Sequence, residues 1–195
     1  MKLSKGNSKI GRIANVSLTP IKACKGCAAV CGKDCYALKA YKQYPATKAA
    51  WDHNYEQATN KPDIFFAELY EELKKYKGTF FRWHVAGDIL DQEYLWDMIK
   101  IADSFKHIKF LAFTKQYDVV NSIQPIFIPG NLKIVFSAWS GLPMDNPYNF
   151  PIAFMQDGSE TRVNGNELEC PGHCESCGMC WNLDSLNRNV VFNKH

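Results

Sequence analysis

Eight cysteines fall into two groups of four, and their spacing is the first feature of the chain that could do chemistry. Cys24, Cys27, Cys31 and Cys35 are separated by two, three and three residues; Cys170, Cys174, Cys177 and Cys180 by three, two and two. Residues 36–169 hold none. Each group brings four thiolates, enough to complete one cluster or one tetrahedral metal. A structural zinc site usually draws two close pairs together across a longer loop, whereas an unbroken run of cysteines at short intervals lets one loop wrap an iron–sulfur cube. Both groups are unbroken runs, so the spacing predicts two iron–sulfur clusters of the 4Fe-4S kind, with zinc as the alternative metal. Disulfides are the bland alternative that an even count permits. The chain opens without a secretory apolar stretch, however, and the expected compartment is the cytoplasm, where thiols stay reduced. Gly26, Gly32, Gly172 and Gly178 lie between or beside the ligands, where they let the chain bend and turn backbone N–H groups toward sulfide.

The sequence between the groups alternates helical and strand patterns, which predicts consecutive βα units around a mostly parallel sheet. A helix from 36 to about 59, kinked near Pro45, follows the first group. A second begins at Pro62, carries Ile64, Phe65, Leu69 and Leu73 on one face and stops by Gly78. Residues 79–86 read as a strand ending at Gly87 and Asp88 before a helix from about 91 to 105, which makes a βα unit. Residues 108–114 and 132–138 read as buried strands with a short helix over 116–123 between them, and 151–155 as a further strand. Residues 139–150, with Gly141, Pro143 and Pro147, read as a long loop of the sort that covers a site. The expected architecture is one α/β domain over 1–195. Its sheet is mostly parallel, a partial (βα) barrel or a doubly wound sheet, with cysteine-rich loops 24–35 and 170–180 at its two ends.

Parallel sheets gather ligands at the C-terminal ends of their strands. His84 and Asp88 sit at and just beyond one such end and are the best candidates for catalytic groups. The plainer reading is a hydrogen-bonded core histidine and an aspartate capping the next helix. Gly87, Thr114, Lys115, Ser137 and Trp139 would converge on the same rim as cofactor-binding residues. Phe80, Phe81, Trp83, Phe110 and Phe113 read as sheet and core packing rather than a platform for nucleic-acid bases. Trp181, next to Cys180, either packs over a cluster and excludes water or anchors the tail.

Three segments together resemble the phage and prophage family called gene product 88. They are Cys35-Tyr36-Ala37-Leu38-Lys39, Phe81-Arg82-Trp83-His84-Val85-Ala86-Gly87-Asp88, and Cys174-Glu175-Ser176-Cys177-Gly178-Met179-Cys180-Trp181. The resemblance implies a phage origin and carries little mechanism. A weaker one is to radical S-adenosylmethionine enzymes, whose cluster loop also ends in a cysteine followed by an aromatic residue and a helix. It implies a partial barrel and S-adenosylmethionine bound at an open iron. In Cys27, Cys31, Cys35 and Tyr36 the second gap is one residue longer than in that family, and Cys24 adds a fourth thiolate. A fully ligated cluster would transfer electrons or be structural instead. Cys170, Cys174 and Cys177 do have the radical-enzyme gaps, but at the other end of the chain and followed by Cys180, in the manner of auxiliary clusters.

The composition bounds the partners. With 46% hydrophobic, 13% aromatic and 22% charged residues, the chain is an ordinary globular one. A formal net charge of +3 announces neither a nucleic acid nor a membrane, although Lys2, Lys5, Lys9 and Arg12 make a basic start, read as solvated or as a phosphate-binding arm. No apolar run approaches the ~20 residues that span a bilayer. The expected partner is a redox protein or a small-molecule substrate. Three functions follow: an iron–sulfur enzyme, radical-type or redox; a non-catalytic iron–sulfur carrier or redox sensor; or a zinc-stabilised nucleic-acid-binding module.

Overall fold

The computed structural model describes residues 1–26, 28–156, 167–186 and 188–193. Its strands are β1 Ala14–Val16, β2 Phe80–Trp83, β3 Lys109–Thr114, β4 Leu132–Ser137, β5 Ile152–Gln156, β6 Leu168–Glu169 and β7 Val190–Asn193. The helices α1 Ala28–Cys31, α2 Tyr36–Gln43, α3 Pro45–Asn60 and α4 Pro62–Lys75 lie between β1 and β2. Helix α5 Gln92–Ser104 joins β2 to β3, α6 Tyr117–Asn121 joins β3 to β4, and α7 Cys174–Cys177 and α8 Leu183–Leu186 lie between β6 and β7. Among the described residues the strands form one seven-stranded sheet in the order β1-β2-β3-β4-β5-β7-β6, every pairing parallel. No helix among them is long and apolar enough to cross a membrane.

Local chemistry explains the helix ends. The residue before a proline is pushed out of the helical region, so Tyr44 is extended (φ −116°, ψ 101°) and divides α2 from α3. Helix α4 starts with Pro62 in its first turn and buries Phe65, Phe66, Leu69 and Leu73. Ile64, expected on that face, is instead 47% exposed. At about 100° per residue it falls on the far side of the stripe those four residues define. The cap of α5 is Asp91, whose carboxylate accepts from the Tyr94 backbone N–H at 2.9 Å, and not Asp88.

Strand order decides what covers each face. From β1 to β5 the chain advances one neighbour at a time, and right-handed crossovers that keep advancing lay their helices on one face. There Val16, Phe81, Trp83, Phe110, Ile134 and Phe136 meet Phe65, Leu69 and Leu73 of α4 and Leu95 and Met98 of α5 in one core. Past β5 the order reverses, because β7 inserts between β5 and β6. A right-handed return from β6 to β7 must cross the opposite face. On that face Cys180, Trp181 and Leu183 pack with Leu111, Val135, Ala153 and Val190, together with Ile10 and Ile13 from the N-terminal segment.

Candidate metal centre and strand rim

The second cysteine group is fixed to the sheet at its two ends and to the N-terminal segment between them. Cys170 N–H donates to the Val191 carbonyl at 2.8 Å, and Cys174 N–H to the Lys9 carbonyl at 3.3 Å. Gly178 closes α7 in the left-handed region (φ +61°), which favours glycine, and a Cβ there would crowd the Phe80 ring at 3.1 Å. Trp181 Nε1 donates to the Phe81 carbonyl at 3.1 Å, and its ring centroid lies 4.9 Å from that of Phe80. Cys170, Cys174, Cys177 and Cys180 line one pocket with His173, Met179 and Trp181. All four are free thiols. Burial pushes the Cys180 thiol up to about 12, against the pull of Arg82. Burial also raises Cys174, again opposed by Arg82. As placed, the thiols share the pocket without converging: among the described residues no group of three or more His, Cys, Asp or Glu side chains is close enough to hold a metal ion.

The first group hangs from the C-terminal edge of the sheet. After β1, Leu18 N–H donates to the Ala86 carbonyl at 2.9 Å, and Gly87 (φ +81°) lies so close to Leu18 that a Cβ would come within 2.7 Å of the leucine Cβ. Thr19 Oγ1 and the Tyr41 hydroxyl both donate to Asp52 Oδ1 at 2.7 Å, which ties this stretch to α2 and α3. Farther along, Gln116 Nε2 donates to the Lys25 carbonyl, and the Tyr36 hydroxyl donates to the Val85 carbonyl at 2.5 Å. The 139–150 loop approaches from the other side, with a Cβ on Gly141 falling 3.6 Å from Val30 Cγ1. Cys24, Cys31 and Cys35 are half-buried. Cys27 lies outside the described residues.

The polar rim residues have partners of their own. Asp88 Oδ1 accepts from Thr114 Oγ1 at 2.6 Å and from the Ile89 N–H at 2.8 Å; Oδ2 accepts from the Lys115 N–H at 2.9 Å. This buried carboxylate thus laces the end of β2 to the end of β3. Desolvation shifts its pKa up, and the three hydrogen bonds oppose that shift. His84 stands just past β2 with φ +52°, buried, its Nε2 3.0 Å from the Tyr94 hydroxyl. Burial, with help from Arg82, lowers its pKa to about 3, so it is neutral at ordinary pH. Lys115 Nζ lies 5.0 Å over the Trp139 ring, and the Ser137 carbonyl accepts from the Tyr117 hydroxyl. Asp88, Thr114 and Lys115 therefore meet, as do Lys115 and Trp139. Gly87 packs against Leu18 instead, and Ser137 against Tyr117.

Arg82 is the residue that the spacing arguments passed over. Its guanidinium stands 4.6 Å over the Phe113 ring, and its Nε is buried with no hydrogen-bond partner among the described residues. Its charge is felt by Cys174 and Cys180 of the second group. It is also felt by Tyr36, which follows Cys35 of the first. The signal in the sequence was a lone arginine alternating with aromatics in a strand otherwise read as packing.

No curated protein and no solved structure matches the chain. The likeness to radical S-adenosylmethionine enzymes finds no support in these comparisons. The family model described as Gene product 88 matches residues 1–141, a span that takes in the first cysteine group and the strand rim. The chain belongs to the gene product 88 family.

Proposed function

We propose that the chain is an iron–sulfur protein in which each cysteine group holds one cluster, the second over the sheet face and the first at the strand rim. The observation that carries this reading is the pocket lined by Cys170, Cys174, Cys177 and Cys180. On the same sheet face, over the Phe113 ring that packs on the cluster of Cys170 and Cys174, lies the Arg82 guanidinium, whose buried Nε has no acceptor among the described residues. Four thiolates around a cluster are anionic, and a sulfide or thiolate is a ready acceptor for such a donor. A bound cluster would supply one-electron transfer. The chain's own part is to hold the thiolates, exclude water with Trp181 and offset charge with Arg82. For the fold we propose a partial barrel: β1 to β5 advance in order with helices on one face, as barrel strands do, and the second cysteine group fills the face that a closed barrel turns inward.

An electron-carrying or redox-sensing role is favoured over radical chemistry on S-adenosylmethionine. Both carboxylate oxygens of Asp88 already accept from protein donors, and His84 is buried against Tyr94, so neither is presented to a substrate. Anaerobically purified protein tests the reading through iron and acid-labile sulfide, with about eight of each per chain expected for two four-iron clusters. Stoichiometric zinc without sulfide would overturn it. Cleavage of S-adenosylmethionine by the dithionite-reduced protein would restore the enzymatic alternative.

A further inference from the structure

Alternation along β2 sends Phe81 and Trp83 into the helix-covered core and Phe80 and Arg82 toward the face that the second cysteine group covers. Phe80 fixes where that group sits, through its contacts with Trp181 and Gly178. Arg82 takes the next place along the strand on this face, nearer the C-terminal edge. Its guanidinium lies over Phe113, and Phe113 packs edge-on at 5.4 Å against Phe192 of β7. Lys9 Nζ is 6.0 Å from the centroid of the Phe192 ring, and the Lys9 carbonyl holds the Cys174 N–H. Phe113, Phe192, Cys170 and Cys174 all pack on the same apolar cluster. One cation thus stands over each ring of this aromatic pair.

Arg82 is half-buried, and a guanidinium nitrogen shut away from water beside an aromatic ring is costly unless an acceptor meets it. The buried Arg82 Nε has no acceptor among the described residues, while Phe113, over whose ring the guanidinium lies, packs on the same apolar cluster as Cys170 and Cys174. We propose that Arg82 is the counter-charge of the second cysteine group: its guanidinium donates to a thiolate or sulfide of the bound cluster and stabilises the more negative, one-electron-reduced state. This rests on the iron–sulfur reading above. The electron comes from an external one-electron donor, dithionite in the test, and no bond is made or broken. Arg82 acts through the cluster as a positioning charge. Lysine would keep the charge and lose the planar fork.

The test is a potentiometric titration of the full chain, wild type against Arg82→Gln and Arg82→Lys, followed by the EPR signal of the reduced clusters. Arg82→Gln is expected to disfavour reduction of one cluster about tenfold, a fall of about 59 mV for a one-electron couple, with the other cluster unmoved. Arg82→Lys should recover more than half of the loss. If both potentials in Arg82→Gln match wild type, the proposal is overturned. Arg82→Leu, which keeps an apolar stem, replaces Arg82→Gln should the latter fail to fold. A second measurement does not depend on iron. Cobalt(II) titrated into the anaerobic apo-chain reports thiolate ligation by its charge-transfer band, and Arg82→Gln should weaken that binding about tenfold. Equal cobalt affinity overturns the counter-charge. A wild type with tight thiolate-bound cobalt but neither iron nor sulfide as purified would sink the iron–sulfur reading while leaving Arg82 judged by cobalt alone. A wild type with no thiolate band would overturn both.

Discussion

The two cysteine groups are held in opposite ways. No described residue from Cys24 to Tyr36 is buried, Lys22, Lys25 and Lys33 are exposed around the loop, and it is tied to the rim by single bonds such as Tyr36 to Val85 and Gln116 to Lys25. The second group runs into Cys180, Trp181 and Leu183, which are buried and form much of the cover over one sheet face. The same number of thiols thus serves two mechanical situations. One is a loop resting on a finished edge, half-buried or exposed throughout its described residues. The other is a piece of the core, so that a metal bound there should be inseparable from folding.

Breaking the second region should have the largest effect. Trp181→Ala removes a buried indole and its hydrogen bond to Phe81, and is expected to cost about 3–5 kcal/mol in urea unfolding. A cost below about 1 kcal/mol would show that the segment merely rests on the sheet. At the rim, Asp88→Asn replaces one acceptor oxygen by a donor amide facing either the Lys115 N–H or the Thr114 and Ile89 donors. Leaving a buried group unsatisfied there should cost about 1–3 kcal/mol, read as a lowered Tm with unchanged cluster content. Lost cluster content with unchanged Tm would instead give the carboxylate a functional role.

His84 sharpens the comparison through pH. The folded chain binds its proton only near pH 3, against a reference value of 6.5. As pH falls the unfolded chain therefore takes up the proton first, and stability is lost between about 6.5 and 3, at a limiting slope of about 1.4 kcal/mol per pH unit. Asp88 acts with the opposite sign, since its raised folded pKa favours the fold on the acid side. The difference between wild type and His84→Asn isolates the histidine, and asparagine tolerates the left-handed backbone. Equal acid slopes in urea titrations at pH 7 and pH 5 would show that His84 is protonated in place. The smallest effect should come from the first region: Tyr36→Phe loses one hydrogen bond at an exposed loop, about 1 kcal/mol or less, and leaves global stability nearly unchanged.

How much of this the sequence disclosed depended on the range over which each feature is encoded. The span from α4 through β3 repeats its apolar residues at helical and strand periods over many residues, and its elements fall within about two residues of expectation except β2, expected to run to 86, which stops at Trp83 where His84 takes a positive φ. Strand β1 has three residues and β6 two, too few to show any period, and they are strands only because neighbours pair with them. The cysteines announced themselves by type and spacing. Arg82 did not, since one charge in a strand ordinarily marks the solvent side. It faces the second cysteine group because β7 inserts between β5 and β6 and sends the return segment across that face, a long-range event no local pattern records. The plainer reading of Asp88, a helix cap beside the catalytic one, comes from its place before a helix, yet the backbone needs three more residues to reach the helix start, where Asp91 takes that role.

The most direct test of the account is iron and acid-labile sulfide per chain in anaerobic wild type, Cys31→Ser and Cys177→Ser, with a melting curve for each. Each variant is predicted to lose about one cluster's share of both elements, with the Tm falling sharply for Cys177→Ser and only slightly for Cys31→Ser. Iron and sulfide at wild-type levels in both variants would contradict the two-cluster account, and an equal fall in Tm would contradict the division between a loop on the edge and a segment of the core.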